Sequence, residues 1–337
     1  MLEKPDIADT LVISRLKDEY DLCVANLIFL PLGADFGTAV YRVVADDKTN
    51  YFLKLRKGFN EIAVAVPLFL KSQGIKEIIA PIETKSKRAW ADVGDYKMIL
   101  YPFVEGKNGF ETELSDDLKR RLGSAVKAIH SVIMPAELKR LVPKETFASY
   151  HRESMKTFQA QVEKQAFHDS VAVKLSAFMK SKRDEIGQLI ERAERLARVL
   201  QSKPLERVLT HTDLHGGNLL ISDISELYIV DWDAPALAPK ERDLMFIGGG
   251  IDEIWKTKRD EAAFYEGYGE TEINLAALAY YRYERIIVDL VEFCQQLLLT
   301  EQGGADRAQA LRWFIVNFEP GHTIDIAKKT FASLQGK

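Results

Sequence analysis

The chain of 337 residues has little cysteine, no long uninterrupted apolar run and no excess of positive charge. Its two cysteines, Cys23 and Cys294, lie far apart in sequence, so we expect no disulfide framework and a cytoplasmic setting. Met1 is followed by charged residues, and no apolar stretch reaches the length of a membrane span, so we expect no export signal and no membrane partner. The net charge of −4 argues against a nucleic-acid partner, which would require a broad basic surface.

The length and composition are those of a globular protein with two lobes. At roughly 150 residues per domain, the chain is long enough for two of them. Its hydrophobic content of 47% and charged content of 28% are ordinary for such a protein. An apolar strand passes into a glycine break at Glu105-Gly106, so we predict lobes that span residues 1–103 and 104–337.

The strongest motif lies between Leu209 and Asp233, in the segment LTHTDLHGGNLLISDISELYIVDWD. Within it, His211, Asp213 and Asn218 form an H-x-D-x-x-x-x-N pattern. This spacing matches the catalytic loop of kinases, including the leucine directly after the aspartate.

A β-hairpin is predicted to follow this pattern. Two apolar runs, at 219–222 and 227–230, flank a polar turn, and Asp231 follows the second run directly. Because the strands of a hairpin are antiparallel, its open end brings Asn218 and Asp231 side by side. Asp213 lies just upstream on a loop, so three oxygen-bearing side chains are expected to converge.

Phosphoryl transfer is the chemistry that these three side chains suit. It requires a carboxylate that orients the attacking hydroxyl and takes its proton, and an amide and a second carboxylate that hold Mg²⁺ against the nucleotide phosphates. Asp213 fits the first role. Asn218 and Asp231 fit the second, because Mg²⁺ prefers a few hard oxygen ligands together with water and phosphate.

Two other interpretations of the motif stay open. The His-x-Asp pair could be an ordinary polar turn. Alternatively, His211, Asp213 and His215 could ligate zinc through alternate residues, although this would leave Asn218 and Asp231 without a role.

Three strands are predicted upstream, in VANLIFLPLG, TAVYRVVAD and NYFLKLR. The turn between the first two contains Gly33 and Gly37, and such a turn lets backbone N–H groups approach phosphate, although the full G-x-G-x-x-G spacing is absent. Lys54 lies in the third strand between apolar neighbours. A lysine inside an apolar strand is more often an edge residue or one that extends its charged end to solvent than a catalytic one. A nucleotide-binding lobe, however, would place its phosphate-binding lysine here.

A helix is predicted from about Asn60 to Gln73, with Gly74 as its stop. Glu61 in its first turn is the candidate partner that would hold the Lys54 ammonium over the α- and β-phosphates.

Further strands near 78–81 and 96–104 are predicted to complete the small sheet. Pro102 keeps a carbonyl acceptor but has no N–H, whereas Val104 offers an N–H. Adenine presents an amino donor beside a ring-nitrogen acceptor, so these two backbone groups are candidates for binding it. An ordinary sheet edge is the alternative.

Beyond Ser115 the pattern turns helical, and 273–299 is apolar almost all round, as expected of a buried helix. Two apolar stripes also predict core-facing helices: Leu118, Leu122, Ala125 and Ile129, then Ile186, Leu189, Ala193, Leu196 and Leu200. Asp243, after the hairpin, is expected to cap a helix, to brace the catalytic loop, or to do both.

Taken together, the chain resembles the aminoglycoside phosphotransferase family, which shares the two-lobed protein-kinase-like fold. The resemblance rests on YFLKLRKGFNEI, GIKEIIAPI, YPFVEG, HTDLHGGN, IVDWD, APKERDLMFIGGG and FYEGYGE, which span Tyr51 to Glu270. It implies an α+β fold with a small antiparallel β-sheet N-lobe and a larger, mainly helical C-lobe. Trp232-Asp233 stands where protein kinases have Phe-Gly, and no A-P-E segment is present for docking a peptide.

The resemblance also implies a set of roles, with ATP and Mg²⁺ as cofactors. The implied roles are Asp213 as catalytic base, Asn218 and Asp231 as metal ligands, Lys54 and Glu61 at the phosphates, Pro102 and Val104 at adenine, and His211 and Asp243 as supports of the catalytic loop.

We therefore expect an ATP- and Mg²⁺-dependent O-phosphotransferase that acts on a small, cationic, hydroxylated molecule. The resemblance favours an aminocyclitol or aminoglycoside antibiotic, with spectinomycin as the first candidate. A cationic amine would require carboxylates in the pocket, and Asp233 is the nearest one. A kinase of choline, a sugar or another metabolite is the alternative, and a catalytically silent nucleotide-binding module is a more distant one.

Overall fold

A computed structural model describes residues 4–32, 37–251, 254–300 and 304–335. The chain divides into two compact units, one formed by residues 1–143 and 211–236 and the other by residues 144–210 and 237–337. The segment that carries the catalytic motif therefore belongs to the same compact unit as the N-terminal strands. The lobe boundary expected after residue 103 stays a prediction.

A five-stranded antiparallel sheet forms the core of the first unit, with strand order β1-β2-β3-β5-β4. Its strands are β1 (Val24–Leu30), β2 (Thr38–Ala45), β3 (Asn50–Arg56), β4 (Ala91–Val93) and β5 (Tyr96–Pro102). Leu53 and Leu55 on the central strand β3 are fully buried. Because side chains alternate across a strand, Lys54 between them points to the opposite face.

Two helices accompany the sheet, α1 (Asp9–Tyr20) and α2 (Ile62–Ser72). Val12 and Leu16 of α1 pack into the same core as the buried strand residues. The predicted helix at 60–73 is confirmed, and Gly74 after it has a φ of +81°, which is the left-handed conformation that favours glycine.

One predicted strand is wrong. Residues 78–81 do not join the sheet: Ile78 forms only an isolated parallel bridge with Ile229, and Ile229 N–H donates to the carbonyl of Glu77 at 2.8 Å. Pro81 has no N–H with which to continue a ladder. The edge position is taken by β4, which turns into β5 through Gly94 at a φ of +55°.

The predicted catalytic hairpin is present in the first unit. It consists of β8 (Leu219–Ser222) and β9 (Leu227–Ile229), and β6 (Gly106–Asn108) pairs with β8 to make a three-stranded sheet. The helices α3 (Asp116–Ser131) and α4 (Ala136–Leu141) complete this unit. The apolar stripe predicted for α3 is buried as expected.

The second unit is mainly helical, and its longest helix, α10 (Leu275–Leu298), is buried along much of its length, as predicted. Against it pack α5 (Tyr150–Lys164), α6 (Ser170–Ser181), α7 (Arg183–Gln201), α8 (Glu241–Leu244), α11 (Gly304–Val316) and α12 (Thr323–Gln335). The chain also forms the helix α9 (Lys258–Tyr268) and the paired short strands β7 (Val208–Thr210) and β10 (Ala236–Ala238). The apolar stripe predicted for α7 is buried. The α+β prediction, a small antiparallel sheet with a larger helical part, is confirmed. In the described ranges, no helix combines the length and apolar character needed to cross a bilayer.

Candidate active site

His211 joins the catalytic loop to the hairpin. The side chain is 2% exposed, Nε2 lies 2.9 Å from the carbonyl of Val230, and Nδ1 accepts from the N–H of Asp213 at 3.3 Å. An Nδ1 that accepts requires the proton on Nε2, which then donates to Val230. The ring also meets Trp232 edge-on, with centroids 4.6 Å apart. These contacts fit the supporting role expected of His211.

The same contacts count against the zinc interpretation. Both ring nitrogens of His211 already have backbone partners, so a zinc ion would have to break one of these bonds. Across the described ranges, no group of three or more histidine, cysteine, aspartate or glutamate side chains is arranged to hold a metal.

Asn218 is fixed by its bonds to Asp213. The amide Nδ2 donates to the Asp213 carbonyl at 2.8 Å and to Asp213 Oδ2 at 3.1 Å. An amide whose nitrogen is held in this way turns its oxygen to the other side, and no described residue donates to that Oδ1. The N–H of Val230 also donates to the Asn218 carbonyl at 3.0 Å, so Asp231 follows directly beside Asn218, as the hairpin predicts.

The backbone on either side of this contact is strained. Thr212 has a φ of +78° and Asp231 a φ of +65°. For a β-branched residue such as threonine this is a true outlier, and such residues cost about 1–3 kcal/mol each and cluster at functional sites. The Thr212 hydroxyl donates to the carbonyl of Ala234 at 2.9 Å, which helps to hold the conformation.

Lys54 binds the end of the hairpin. Nζ donates to Asp231 Oδ1 at 2.7 Å and to both carboxylate oxygens of Asp233, at 2.9 and 3.0 Å. Arg56 makes a further ion pair with Asp233. The Lys54 side chain is only 12% exposed, whereas that of Asp231 is 46% exposed. The site therefore has a buried cation and a carboxylate with one accessible side.

The charges of this cluster shift one another's pKa. Burial alone would lower the pKa of Lys54, but the carboxylates of Asp231 and Asp233 outweigh it and raise that pKa. Burial opposes ionisation of Asp231, yet the adjacent ammonium prevails and lowers its pKa. For Asp233, burial and the neighbouring Asp231 charge prevail and raise the pKa. Lys54 and Asp231 are thus held in their charged forms at neutral pH.

One predicted pair needs correction. Glu61 is exposed at the residue that precedes α2 and is not among the described partners of Lys54, so the expected Lys54–Glu61 pair is replaced by Lys54 with Asp231 and Asp233. Asp233, the candidate for receiving a cationic amine, is paired with Lys54 and Arg56, and its contact with a substrate stays a prediction.

The backbone groups of Pro102 and Val104 face away from the central strand of the sheet. Phe103 N–H donates to the carbonyl of Asn50 on β3 at 3.3 Å. Alternate residues of an extended chain direct their backbone groups to opposite edges. The Pro102 carbonyl and the Val104 N–H therefore face away from β3, and within the described ranges no residue pairs with that N–H. Their contact with adenine stays a prediction.

Two other predicted site residues, Gly33 and Asp243, have separate outcomes. Gly33 lies outside the described residues. Asp243 was expected to cap a helix, and this is wrong: it lies within α8, and Lys240 holds the capping position. Its expected role as a brace of the catalytic loop stays a prediction.

Arg56, which the sequence patterns did not single out, joins the candidate site through its ion pair with Asp233. Lys54 and Arg56 are two positions apart on one strand, and a period of two places both side chains on the same face. The alternation in Phe52-Leu53-Lys54-Leu55-Arg56 was the signal that could have identified it.

Comparison with known proteins identifies the family of the chain. The model of the phosphotransferase enzyme family (APH) matches residues 28–281. The crystal structure of spectinomycin phosphotransferase APH(9)-Ia with ADP and spectinomycin is 33% identical, with 97% of this chain and 99% of that chain covered and a TM-score of 0.90. Its AMP-bound complex is 32% identical, with coverages of 96% and 98% and a TM-score of 0.85.

More distant structures share the fold. Choline kinase LicA from Streptococcus pneumoniae is 15% identical, with 91% of this chain and 97% of that chain covered and a TM-score of 0.57. No curated protein sequence matches the chain. The kinase-like fold expected from the sequence is confirmed. The chain belongs to the phosphotransferase enzyme family and is a small-molecule phosphotransferase.

Proposed function

We propose that the protein transfers the γ-phosphoryl group of ATP to a hydroxyl of an aminocyclitol antibiotic, with spectinomycin as the leading acceptor. The observation that carries the proposal is the cluster at the open end of the hairpin. There Asn218 fixes Asp213, and Lys54 binds Asp231.

Asp213 is the proposed catalytic base. It would orient the acceptor hydroxyl and take its proton as the oxygen forms a bond to the γ-phosphorus and the bond to the departing ADP oxygen breaks. Asn218 holds the carboxylate in one rotamer through the bond to Oδ2. The Asp213 side chain is 39% exposed, so a substrate can reach it.

The remaining oxygen atoms fit a magnesium ion. Asn218 presents its amide oxygen, and Asp231 presents an accessible carboxylate held in its charged form. These are the hard ligands that Mg²⁺ takes, with water and phosphate completing the shell. When bound, Mg²⁺ would neutralise charge on the nucleotide phosphates. Lys54, already directed at the same carboxylates, would supply a second positive charge there.

The choice of spectinomycin as acceptor rests on the similarity of the chain to spectinomycin phosphotransferase. The relative that carries ADP and spectinomycin shares 33% of its residues along nearly the whole chain. Both cysteines are free, Cys23 exposed and Cys294 buried, which is consistent with the cytoplasmic location that we also propose.

A phosphate-transfer screen tests the function. The purified protein is incubated with labelled Mg·ATP and with aminocyclitols, aminoglycosides, amino alcohols and sugars. We expect transfer to spectinomycin, and expression in a susceptible bacterium should then confer resistance. Transfer only to choline or a sugar would favour a metabolite kinase instead. No transfer and no ATP hydrolysis would favour a silent nucleotide-binding module.

The Asp213→Asn substitution tests the base. Asparagine keeps the shape of the side chain but cannot take the proton, so kcat should fall by about 10²–10⁴. Mg·ATP affinity, measured by calorimetry, should stay close to that of the wild type. Normal turnover in this variant would remove Asp213 from its role.

A further inference from the structure

We propose that His215 is a positioning residue for Asp213, and that Phe110 clamps the His215 ring in place. This inference rests on the proposed function, because it assigns the two residues to the proposed base. It concerns a short chain of contacts that runs from Phe110 through His215 to the Asp213 carboxylate.

The His215 ring is oriented by the backbone. Its Nδ1 accepts from the N–H of Gly217 at 3.0 Å. An imidazole nitrogen that accepts must carry a lone pair, so the neutral ring bears its proton on Nε2. That Nε2 lies 3.4 Å from Asp213 Oδ2, which is longer than a well-formed hydrogen bond, and 3.5 Å from Asn218 Nδ2, which donates to the same oxygen. The amide of Asn218 therefore donates to this carboxylate oxygen, and the His215 ring lies against the same oxygen, so that together they limit the rotation of the carboxylate.

Phe110 covers the face of that ring. The two rings are stacked, with centroids 5.4 Å apart and planes 11° from parallel. The Phe110 side chain is nevertheless 55% exposed, so it buries little surface of its own in return for this contact. A large aromatic residue that is mostly exposed yet stacked on a ring beside the proposed base suggests a positioning role rather than a contribution to the core.

The segment that carries Phe110 is built to hold it there. Asn108 Oδ1 accepts from the N–H of Phe110 at 2.9 Å, and Asn108 itself belongs to β6, which pairs with the hairpin strand β8. The N–H of Gly109 donates to the carbonyl of Gly216 at 2.8 Å. The loop that presents the phenyl ring is thus tied to the loop that carries His215.

Gly217 supplies an independent indication that the rings are closely fitted. A Cβ at this position would lie 2.7 Å from His215 Cε1 and 2.7 Å from Phe110 Cε2. Real Cβ atoms essentially never approach other atoms so closely, so any side chain at residue 217 would push both rings away. The backbone here has to be glycine for the two rings to reach the positions they occupy.

The first test compares single variants in steady-state kinetics with Mg·ATP and the best acceptor from the screen. His215→Asn should lower kcat about 10-fold to 100-fold, since it removes the ring that limits the rotation of the Asp213 carboxylate. The KM for Mg·ATP should stay within about twofold, because the phosphate-binding residues are untouched. His322→Asn is the matched control: its ring lies 3.7 Å from Glu319 on the surface, and its loss should leave kcat unchanged.

The second test asks whether Phe110 acts through His215. Phe110→Ala should lower kcat about 3-fold to 10-fold in the wild type, and Phe110→Tyr, which keeps the stack, should restore it. In the His215→Asn background, Phe110→Ala should have no further effect. An equal loss in both backgrounds would mean that Phe110 contacts the substrate directly and would overturn the clamp. Trp313→Ala, which removes an aromatic residue of the same 55% exposure, is the control.

The third test does not depend on activity. ¹⁵N NMR of the ring nitrogens of His215 in the wild type should report the proton on Nε2, and a proton on Nδ1 would contradict the geometry. Asp213→Asn separates the two proposals in the kinetic test. If it retains full activity, the proposed function fails; if it is inactive while His215→Asn turns over normally, only the positioning role fails. Melting temperatures of all variants exclude a loss caused by unfolding.

Discussion

The two compact units each hold a nearly buried cation, and the two cations are held in different ways. Lys54 in the first unit bonds two carboxylates, one of which is 46% exposed and lies in a strained backbone conformation. Arg152 in the second unit is 2% exposed and bonds Glu284, the hydroxyl of Tyr280 and two backbone carbonyls. The first arrangement keeps one side accessible, whereas the second is almost fully enclosed by protein.

This difference indicates a ligand-binding role for the Lys54 cluster and a structural role for the Arg152 cluster. Arg152 lies on α5, and Tyr280 and Glu284 lie on α10, so this cluster joins two helices. Burial raises the pKa of Glu284 although Arg152 opposes the shift, which shows that ionisation has a cost there. The carboxylate partners raise the pKa of Lys54 and that of Arg152 alike, so the two clusters differ in their exposure and not in the direction of these shifts. Charges that are enclosed by protein are occupied with one another, whereas charges that keep an open side are available to a ligand.

The largest expected effect on stability is at Arg152. Arg152→Ala leaves Glu284 buried without its partner, so the free energy of unfolding by urea should fall by about 3–5 kcal/mol. The double variant Arg152→Met with Glu284→Leu should regain most of this loss, since it removes both charges and fills the space. A single variant as stable as the wild type would show that the cluster is not structural.

Lys54→Met should affect the kinetics more than the stability. We expect kcat/KM for Mg·ATP to fall by about 100-fold, because the phosphates and carboxylates lose a preorganised positive charge. The free energy of unfolding should change by only about 1 kcal/mol, since the partners are partly exposed. A loss of stability as large as that of Arg152→Ala, with normal kinetics, would reverse the comparison.

The smallest effects are expected at two helix caps, one in each unit. Ser115 accepts from the N–H of Leu118 at the start of α3, and Asp169 accepts from the N–H groups of Val171 and Ala172 at the start of α6. Replacing Ser115 by alanine should cost about 1 kcal/mol at pH 7. Asp169→Ala should cost somewhat more, because it also removes the ion pair of Asp169 with Arg307. Urea unfolding of each variant measures this difference.

The pH dependence should distinguish the two caps. The N–H of Ala172 and the guanidinium of Arg307 hold the pKa of Asp169 below its ordinary value. A lowered pKa means that the extra stability is present above the unfolded value of about 3.9 and is lost as pH falls through the folded pKa. The gap between the wild type and Asp169→Ala should therefore shrink in acid, whereas the gap for Ser115→Ala should not change. Asp169→Asn, which keeps a capping side chain, should behave like Ser115 in being insensitive to acid.

Much of the fold was predictable because the spacing of apolar residues along the chain indicates helices and strands locally. The apolar stripe from Leu118 to Ile129 gave the buried face of α3, and the two short apolar runs gave the hairpin. The strand predicted at 78–81 is absent from the sheet. An apolar run indicates that side chains are buried, but it does not indicate whether the backbone forms hydrogen bonds with a neighbouring strand. At the site, the predicted hairpin pairs Asn218 with Val230, the residue before Asp231, because this pairing depends only on the antiparallel register of the two strands.

The sequence by itself determined the order and spacing of the proposed catalytic groups, because residues within one hairpin or one turn are brought together by local backbone geometry. Only the tertiary structure decided which carboxylates meet Lys54: its partner Asp231 is 177 positions away in sequence, while the nearer Glu61 lies exposed. It likewise decided that Phe110 covers His215. Such contacts depend on how whole strands and loops pack, and no local period in the chain records that packing.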